Sequence, residues 1–192
     1  RIDVLGIRKE DLPGVWKDLD MPSGHAYGKS IRTVKTCVGS EFCRFGTQNS
    51  TQMGIDLEHA LFNMWSPHKV KLAVSGCPRN CAESGIKDVG IIGVDSGWEL
   101  YIGGNGGIKT EAGEFFVKVK TAEEVMEYSL AFLQLYREEA FYLERTVHYM
   151  QRVGMDHIKK AVLDDAERRK ALHQRLLFSL SFEQDPWQEQ LS

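Results

Sequence analysis

The sequence predicts an α+β fold, a mixed sheet flanked by helices with a helical C-terminal extension. Three observations predict it. Apolar residues alternate with more polar ones in several short segments between 69 and 119. They recur at three- and four-residue steps near 53–64 and again after 121, and the 192 residues are 42% hydrophobic and 27% charged. A chain of that size and composition builds one sizeable core without a disulfide staple. The formal charge of −3 argues against a generally basic nucleic-acid binder. No apolar run approaches the roughly 18 to 20 residues of a spanning helix, so membrane insertion is not expected. The opening RIDVLGI begins with Arg1 and lacks the charged, apolar and small-residue layout of a secretion signal. The expectation is a cytoplasmic fragment of a longer protein.

Residues 1–7 read as a short strand and 8–19 as a helix with Leu12, Val15, Trp16 and Leu19 on one face, Pro13 being tolerable near its start. The turn-rich MPSGHAYGKS leads to a short strand at 31–36. Met53, Leu57, Ala60, Leu61 and Met64 define an amphipathic helix from about Thr47 to Trp65, stopped by Pro67. Val70, Leu72 and Val74 have the period of a half-buried strand running into Gly76. DVGIIGVD at 88–95 and ELYI at 99–102 are two more strands joined through Ser96 and Gly97, and Phe115, Val117 and Val119 alternate as another. Thr121 with Glu124 has the capping-box signature of a helix whose face, Val125, Tyr128, Phe132 and Leu135, continues towards Tyr149 and ends at Gly154. A charged helical stretch then runs from Met155 to about Phe182 with Ile158, Val162, Leu172 and Leu176 inward, before a frayed end.

The four cysteines form two tight pairs, Cys37 with Cys43 and Cys77 with Cys81, both at the ends of predicted elements. Without export features, such pairs point to metal more than to disulfides. Four thiolates can complete an iron-sulfur cube or close a structural zinc site. Structural zinc sites usually separate paired cysteines by two to four residues, whereas Cys37 and Cys43 have five between them, so zinc ranks second. A thiolate cube is a net anion. Gly39, Gly46, Gly76 and Gly85 would let backbone amides approach it, and Lys35, Arg44, Arg79 and Lys87 lie within a few positions of a cysteine.

TCVGSEFCRFG at 36–46 followed by SGCPRNCAESG at 75–85 resembles the Cys-x5-Cys and Cys-x3-Cys signature of the sirohaem and [4Fe-4S] nitrite and sulfite reductases, and the resemblance extends from residue 1 into the C-terminal helices. It implies that Cys37, Cys43, Cys77 and Cys81 ligate the cluster and that Cys81 also bridges to the sirohaem iron. It implies six-electron reduction of nitrite to ammonia by an NAD(P)H-dependent enzyme, with flavin (FAD) and nicotinamide sites on upstream domains. Partners would be nitrite, a small subunit and further copies of the chain, with no nucleic acid and no membrane. The implied organisation is 1–24 as the remnant of an upstream ferredoxin-like half, 25–120 as the sirohaem and iron-sulfur domain, and 121–192 as a helical region.

Sirohaem has many peripheral carboxylates, so its pocket calls for cations. Arg32, Lys35 and Arg79 are candidates for those carboxylates or for the anionic substrate. The wider family often has Asn where Arg79 stands and Gly or another small residue where Asn80 stands, and here the chain departs from the pattern. GGNGG at 103–107 does not have the spacing of a dinucleotide fingerprint and opens no helix. It reads either as a plain loop or, by the resemblance, as a segment packed near sirohaem, with Gly104 and Asn105 as contacts. None of the six histidines, His25 and His59 included, is assigned to metal. Sulfite reductase, an electron-transfer module without sirohaem and a zinc domain are the rival readings.

Overall fold

The computed structural model describes residues 4–20, 28–62 and 64–182. Its centre is a five-stranded mixed sheet, in the order β1-β2-β3-β4-β7, built from Lys35–Thr36 (β1), Leu72–Ser75 (β2), Val89–Val94 (β3), Gly97–Ile102 (β4) and Glu114–Val119 (β7). The first three strands run parallel, and β4 and β7 join antiparallel. Asn105–Gly106 (β5) and Thr110–Glu111 (β6) form a small separate hairpin from the Gly-rich segment. The helices are Leu12–Leu19 (α1), Gly39–Phe42 (α2), Ser50–Leu61 (α3), Ala122–Glu139 (α4), Thr146–Val153 (α5), Met155–Lys159 (α6) and Ala166–Leu180 (α7). No described helix is long and apolar enough to cross a membrane.

Most elements lie where periodicity puts them. Asn49 caps α3 by accepting from the Gln52 amide, and Met53, Leu57 and Leu61 are buried on its inner face. The Thr121–Glu124 capping box is formed in both directions. Leu72, Val74, Ile91, Leu100 and Ile102 of the sheet share one buried cluster with α3, α4, α5 and α7.

Several expectations are corrected. Residues 4–7 form no strand, while 1–3, most of the 21–30 loop including His25, and 183–192 lie outside the described residues. In α1 the apolar face is only partly covered and no residue is buried. The strand at 31–36 shortens to two residues plus an isolated bridge from Ile31 to Val70. All four residues of β2 are buried rather than alternate ones, because β2 lies between two parallel neighbours and is covered on both faces. In β7 the inward residues are Phe116 and Val119. A bulge opposite Leu100 and Tyr101 changes the alternation and leaves Phe115 exposed.

The helix expected to reach Gly154 stops at Glu139. Ala140 is extended and Leu143 takes a left-handed φ of 64°, with its amide donating to the Pro67 carbonyl, before α5 begins at Thr146. Gly154 then ends α5, as expected. The last helical stretch is likewise broken, by a π-helical turn over Lys160–Asp164 whose Val162 and Leu163 carbonyls accept from Arg169.

A buried carboxylate explains why the chain turns before α5. Asp88, 1% exposed, accepts from the Lys71 amide at 2.8 Å, from the Arg145 guanidinium at 3.0 Å and from the Thr146 hydroxyl. A continuous helix could not bring Arg145 and Thr146 to the start of β3. Removing one partner of such a buried ion pair leaves an uncompensated charge. Asp88→Ala is therefore expected to destabilise the protein by about 3–5 kcal/mol in chemical denaturation, and a loss below about 1 kcal/mol would show that the network does not anchor the helices.

Candidate metal centre

The site begins with two strands that run the same way. The register pairs Lys35 with Ala73 and Thr36 with Val74, so β1 and β2 end together and release Cys37 and Gly76–Cys77 at the same edge of the sheet. Open sheets with parallel strands place ligands outside the carboxyl ends of those strands. The ladder runs one step further, with the Cys37 amide donating to the Val74 carbonyl at 3.2 Å. Across the gap, the Gly76 amide donates to Cys37 Sγ at 3.1 Å.

The first cysteine loop is fastened to the second at its return arm. The Gly76 carbonyl accepts from the Thr47 amide at 2.8 Å, the Gln48 amide at 3.0 Å and the Thr47 hydroxyl at 2.9 Å, and Gln48 Nε2 reaches the Val94 carbonyl at the end of β3. The approach is too close for side chains. A β-carbon on Gly76 would lie 2.8 Å from both Gln48 O and Gly39 Cα, and Gly39 takes a φ of 64° with a β-carbon position 2.7 Å from Ser50.

The second loop is a tight fold closed from inside. Ser75 Oγ accepts from the Ala82 amide, donates to Asn80 Oδ1 and lies 2.9 Å from Ser84 Oγ, while Asn80 Oδ1 also accepts from the Gly85 amide. Asn80 has a φ of 56°, a left-handed conformation that asparagine adopts more readily than most side chains. Cys77 is thereby buried and Cys81 exposed, with Cys37 and Cys43 between, and all four are free thiols. Burial pushes the Cys37 thiol up, but hydrogen bonding with Ser50 and with the backbone at Gly76 and Gly39 outweighs it, and the net shift is downward.

Among the described residues, no group of three or more Cys, His, Asp or Glu, the four cysteines included, is gathered closely enough to hold a metal ion. The chemistry of the donor set is that of a thiolate cluster. Four free soft ligands sit on two adjoining loops, an amide already points at one sulfur, and glycines keep the contact between the loops clear of side chains.

Next to these loops is a cationic cavity of about 410 Å³ lined by Arg32, Thr33, Lys35, Lys69, Lys71, Leu72 and Lys87. Its orientation follows from the strand period. Thr36 faces α3, where a β-carbon on Gly54 would come within 2.1 Å of its methyl, so Lys35 faces the other side of the sheet. Burial and then the positive charges of Lys69, Arg145 and Lys87 lower the Lys71 pKa. Glu83, two residues past Cys81, accepts from Lys35 at 2.9 Å and Lys87 at 3.1 Å, which ties the second cysteine loop to the rim of the cavity.

Of the anion-binding residues expected from sequence, Arg32 and Lys35 come together here. Arg79 does not line this cavity. Its guanidinium stacks on the Phe45 ring at 4.0 Å, with Arg44 also over that ring at 4.6 Å. Lys69, Lys71 and Lys87 were not singled out for this role, although two lysines two residues apart on the approach to a strand were a readable sign of a cationic face. Gly104 is buried against Lys87, its β-carbon position lying 2.5 Å from Lys87 O, which sets the Gly-rich segment beside the cavity. The Asn105 side chain donates to the Lys109 carbonyl within its own hairpin.

Comparison with known proteins gives the family of the chain. Residues 27–170 match the nitrite and sulphite reductase 4Fe-4S domain. The chain is 60% identical over 98% of its length to nitrite reductase [NAD(P)H] of Bacillus subtilis, and spans 23% of that relative. It is 32% identical over 85% of its length to an assimilatory-type sulfite reductase of Nitratidesulfovibrio vulgaris, covering 75% of that protein. The fold matches a crystal structure of dissimilatory sulfite reductase I with a TM-score of 0.71 at 16% identity, over 79% of this chain and 56% of the other. The parallel strands, the paired cysteine loops and the match over residues 27–170 lead to one conclusion: this chain belongs to the nitrite and sulphite reductase 4Fe-4S domain family.

Proposed function

We propose that this chain is the part of an NAD(P)H-dependent nitrite reductase that holds a [4Fe-4S] cluster and sirohaem and reduces nitrite to ammonia. The observation that carries the reading is the shared strand edge, with Cys37 Sγ accepting from the amide of Gly76, the residue before Cys77. Cys37, Cys43, Cys77 and Cys81 would hold the cluster. Cys81, the exposed member, would present its sulfur to the sirohaem iron as well. Bound there, the pair would relay the six electrons of the reduction, drawn from NAD(P)H, one at a time to the substrate.

The chain's own residues would bind and orient. Arg32, Lys35, Lys69, Lys71 and Lys87 concentrate positive charge in one cavity that suits the carboxylates of sirohaem or a small anion, and Glu83 holds two of these lysines beside the Cys81 loop. Gly104 brings the Gly-rich segment to the same rim. Arg79 sits within the second cysteine loop as a further cation for an incoming anion. Flavin and nicotinamide sites are assigned to the larger share of the relatives that this chain does not span. Nitrite is preferred over sulfite as substrate because the 60% identical relative is a nitrite reductase, whereas the sulfite reductase is 32% identical. A cytoplasmic location suits free thiols and a reduced cluster.

Two measurements test this reading. The full-length protein should contain iron, acid-labile sulfide and strong haem-type absorption, and Cys81→Ser should abolish the coupled spectrum and the nitrite-dependent activity. An unchanged spectrum in that variant would overturn the bridging role, and iron and sulfide without haem-type bands would favour an electron-transfer module. Lys71→Ala should raise the KM for nitrite about tenfold, the scale of one charge-assisted hydrogen bond. Steady-state assays with nitrite and sulfite side by side check this, and a higher kcat/KM for sulfite would reverse the substrate assignment.

A further inference from the structure

We infer that the Ser50 hydroxyl is a hydrogen-bond donor to the ligating sulfur of Cys37 and raises the reduction potential of the cluster. The inference rests on the reading that Cys37 binds the cluster. Ser50 is fully buried at the first turn of α3, directly beneath the contact of the two cysteine loops. A β-carbon on Gly39 would lie 2.7 Å from its oxygen, and one on Gly76 would lie 3.0 Å from it. Ser50 Oγ is 3.2 Å from Cys37 Sγ and donates to the Cys37 carbonyl at 2.9 Å.

A serine hydroxyl has a single proton, so the two contacts cannot both use it. In the free thiol, Cys37 S–H can donate to Ser50 Oγ while the hydroxyl proton goes to the carbonyl. A metal-bound thiolate has no proton to give. The contact with sulfur then survives only if Ser50 turns and becomes the donor. That rotation does not orphan the carbonyl, because the Thr51 hydroxyl also reaches Cys37 O at 3.4 Å. The hydroxyl would thus join the Gly76 amide as a second donor on the same sulfur.

Reduction adds an electron and therefore negative charge to the cluster and its sulfurs. Donors on a ligating sulfur stabilise the reduced state more than the oxidised one, and hydrogen bonds to the sulfurs are among the factors that set such potentials. The amide donor belongs to the backbone and no side-chain replacement removes it. Ser50 is the adjustable partner.

The test uses the full-length holoenzyme and an EPR-monitored redox titration, with iron and acid-labile sulfide measured in every sample. Ser50→Ala should keep wild-type iron and sulfide and shift the cluster midpoint to a more negative potential. A loaded variant with an unchanged midpoint would overturn the inference while leaving the cluster reading intact, whereas a wild-type enzyme with no iron or sulfide would sink the cluster reading itself. Should Ser50→Ala fail to load, Ser50→Thr and Ser50→Val differ mainly in the hydroxyl at nearly equal bulk. A higher midpoint in the threonine variant, or loading by threonine alone, supports the donor role. Equal midpoints, or failure of both to load, show that size rather than the hydroxyl matters and overturn it.

Discussion

The parallel pairing of β1 with β2 is the constraint on which the rest of the site depends. Parallel strands cannot be joined by a hairpin, so the chain must cross over between them, and it does so through α2 and α3. The crossover makes both strands end on the same side, and the two cysteine loops consequently meet although forty residues separate their first members. Register matters as much as direction. A slip of one residue would turn Lys35 towards α3 and Thr36 towards the cavity, exchanging a cation for a methyl-bearing side chain.

The loops are held by backbone groups more than by side chains. One carbonyl, that of Gly76, takes three donors from the first loop, and its amide faces a cysteine sulfur. Of the cysteine side chains, that of Cys37 joins the fastening through the Gly76 amide and Ser50, and all four sulfurs remain free thiols. The arrangement also orients amide dipoles towards the place where negative charge would accumulate. The cations are concentrated one sheet face away, where Glu83 ties Lys35 and Lys87 to the second loop. Behind them the Asp88 carboxylate receives the Lys71 amide and the Arg145 guanidinium, placing a buried negative charge under the lysine-bearing segment. The helices that follow the sheet are thus coupled to the site through one carboxylate.

The cysteine signature, the α3 face, the capping box of α4 and the strands β3 and β4 were all legible, because each is a local pattern of a few residues whose period or chemistry needs no distant partner. The failures are equally local in origin. Alternation along 69–75 suggested a strand with one wet face, but β2 is covered on both. Alternation along 115–119 was broken by a bulge, and the periodicity that continued past Glu139 concealed a turn demanded by Asp88. In the cavity, Arg32 and Lys35 were visible as cations close to a cysteine. Lys87 was visible too, but only as a cation near the second pair, and Lys69 and Lys71 were not, since the relation of all three to Lys35 exists only across strands.

By itself the sequence determined the chemistry on offer: four soft ligands in two fixed spacings, cations on either side of them, and helices and strands of the right periods to bury a core. Those properties reside in side-chain type and in neighbours along the chain. Only the tertiary structure decided that the two loops share an edge, that Ser50 lies beneath both, and that five cations line a single cavity from which Arg79 is absent. Each of these depends on which strands pair and in what register, and that choice is made by the burial of the whole sheet against α3 and α4, an energy summed over residues far apart in the chain.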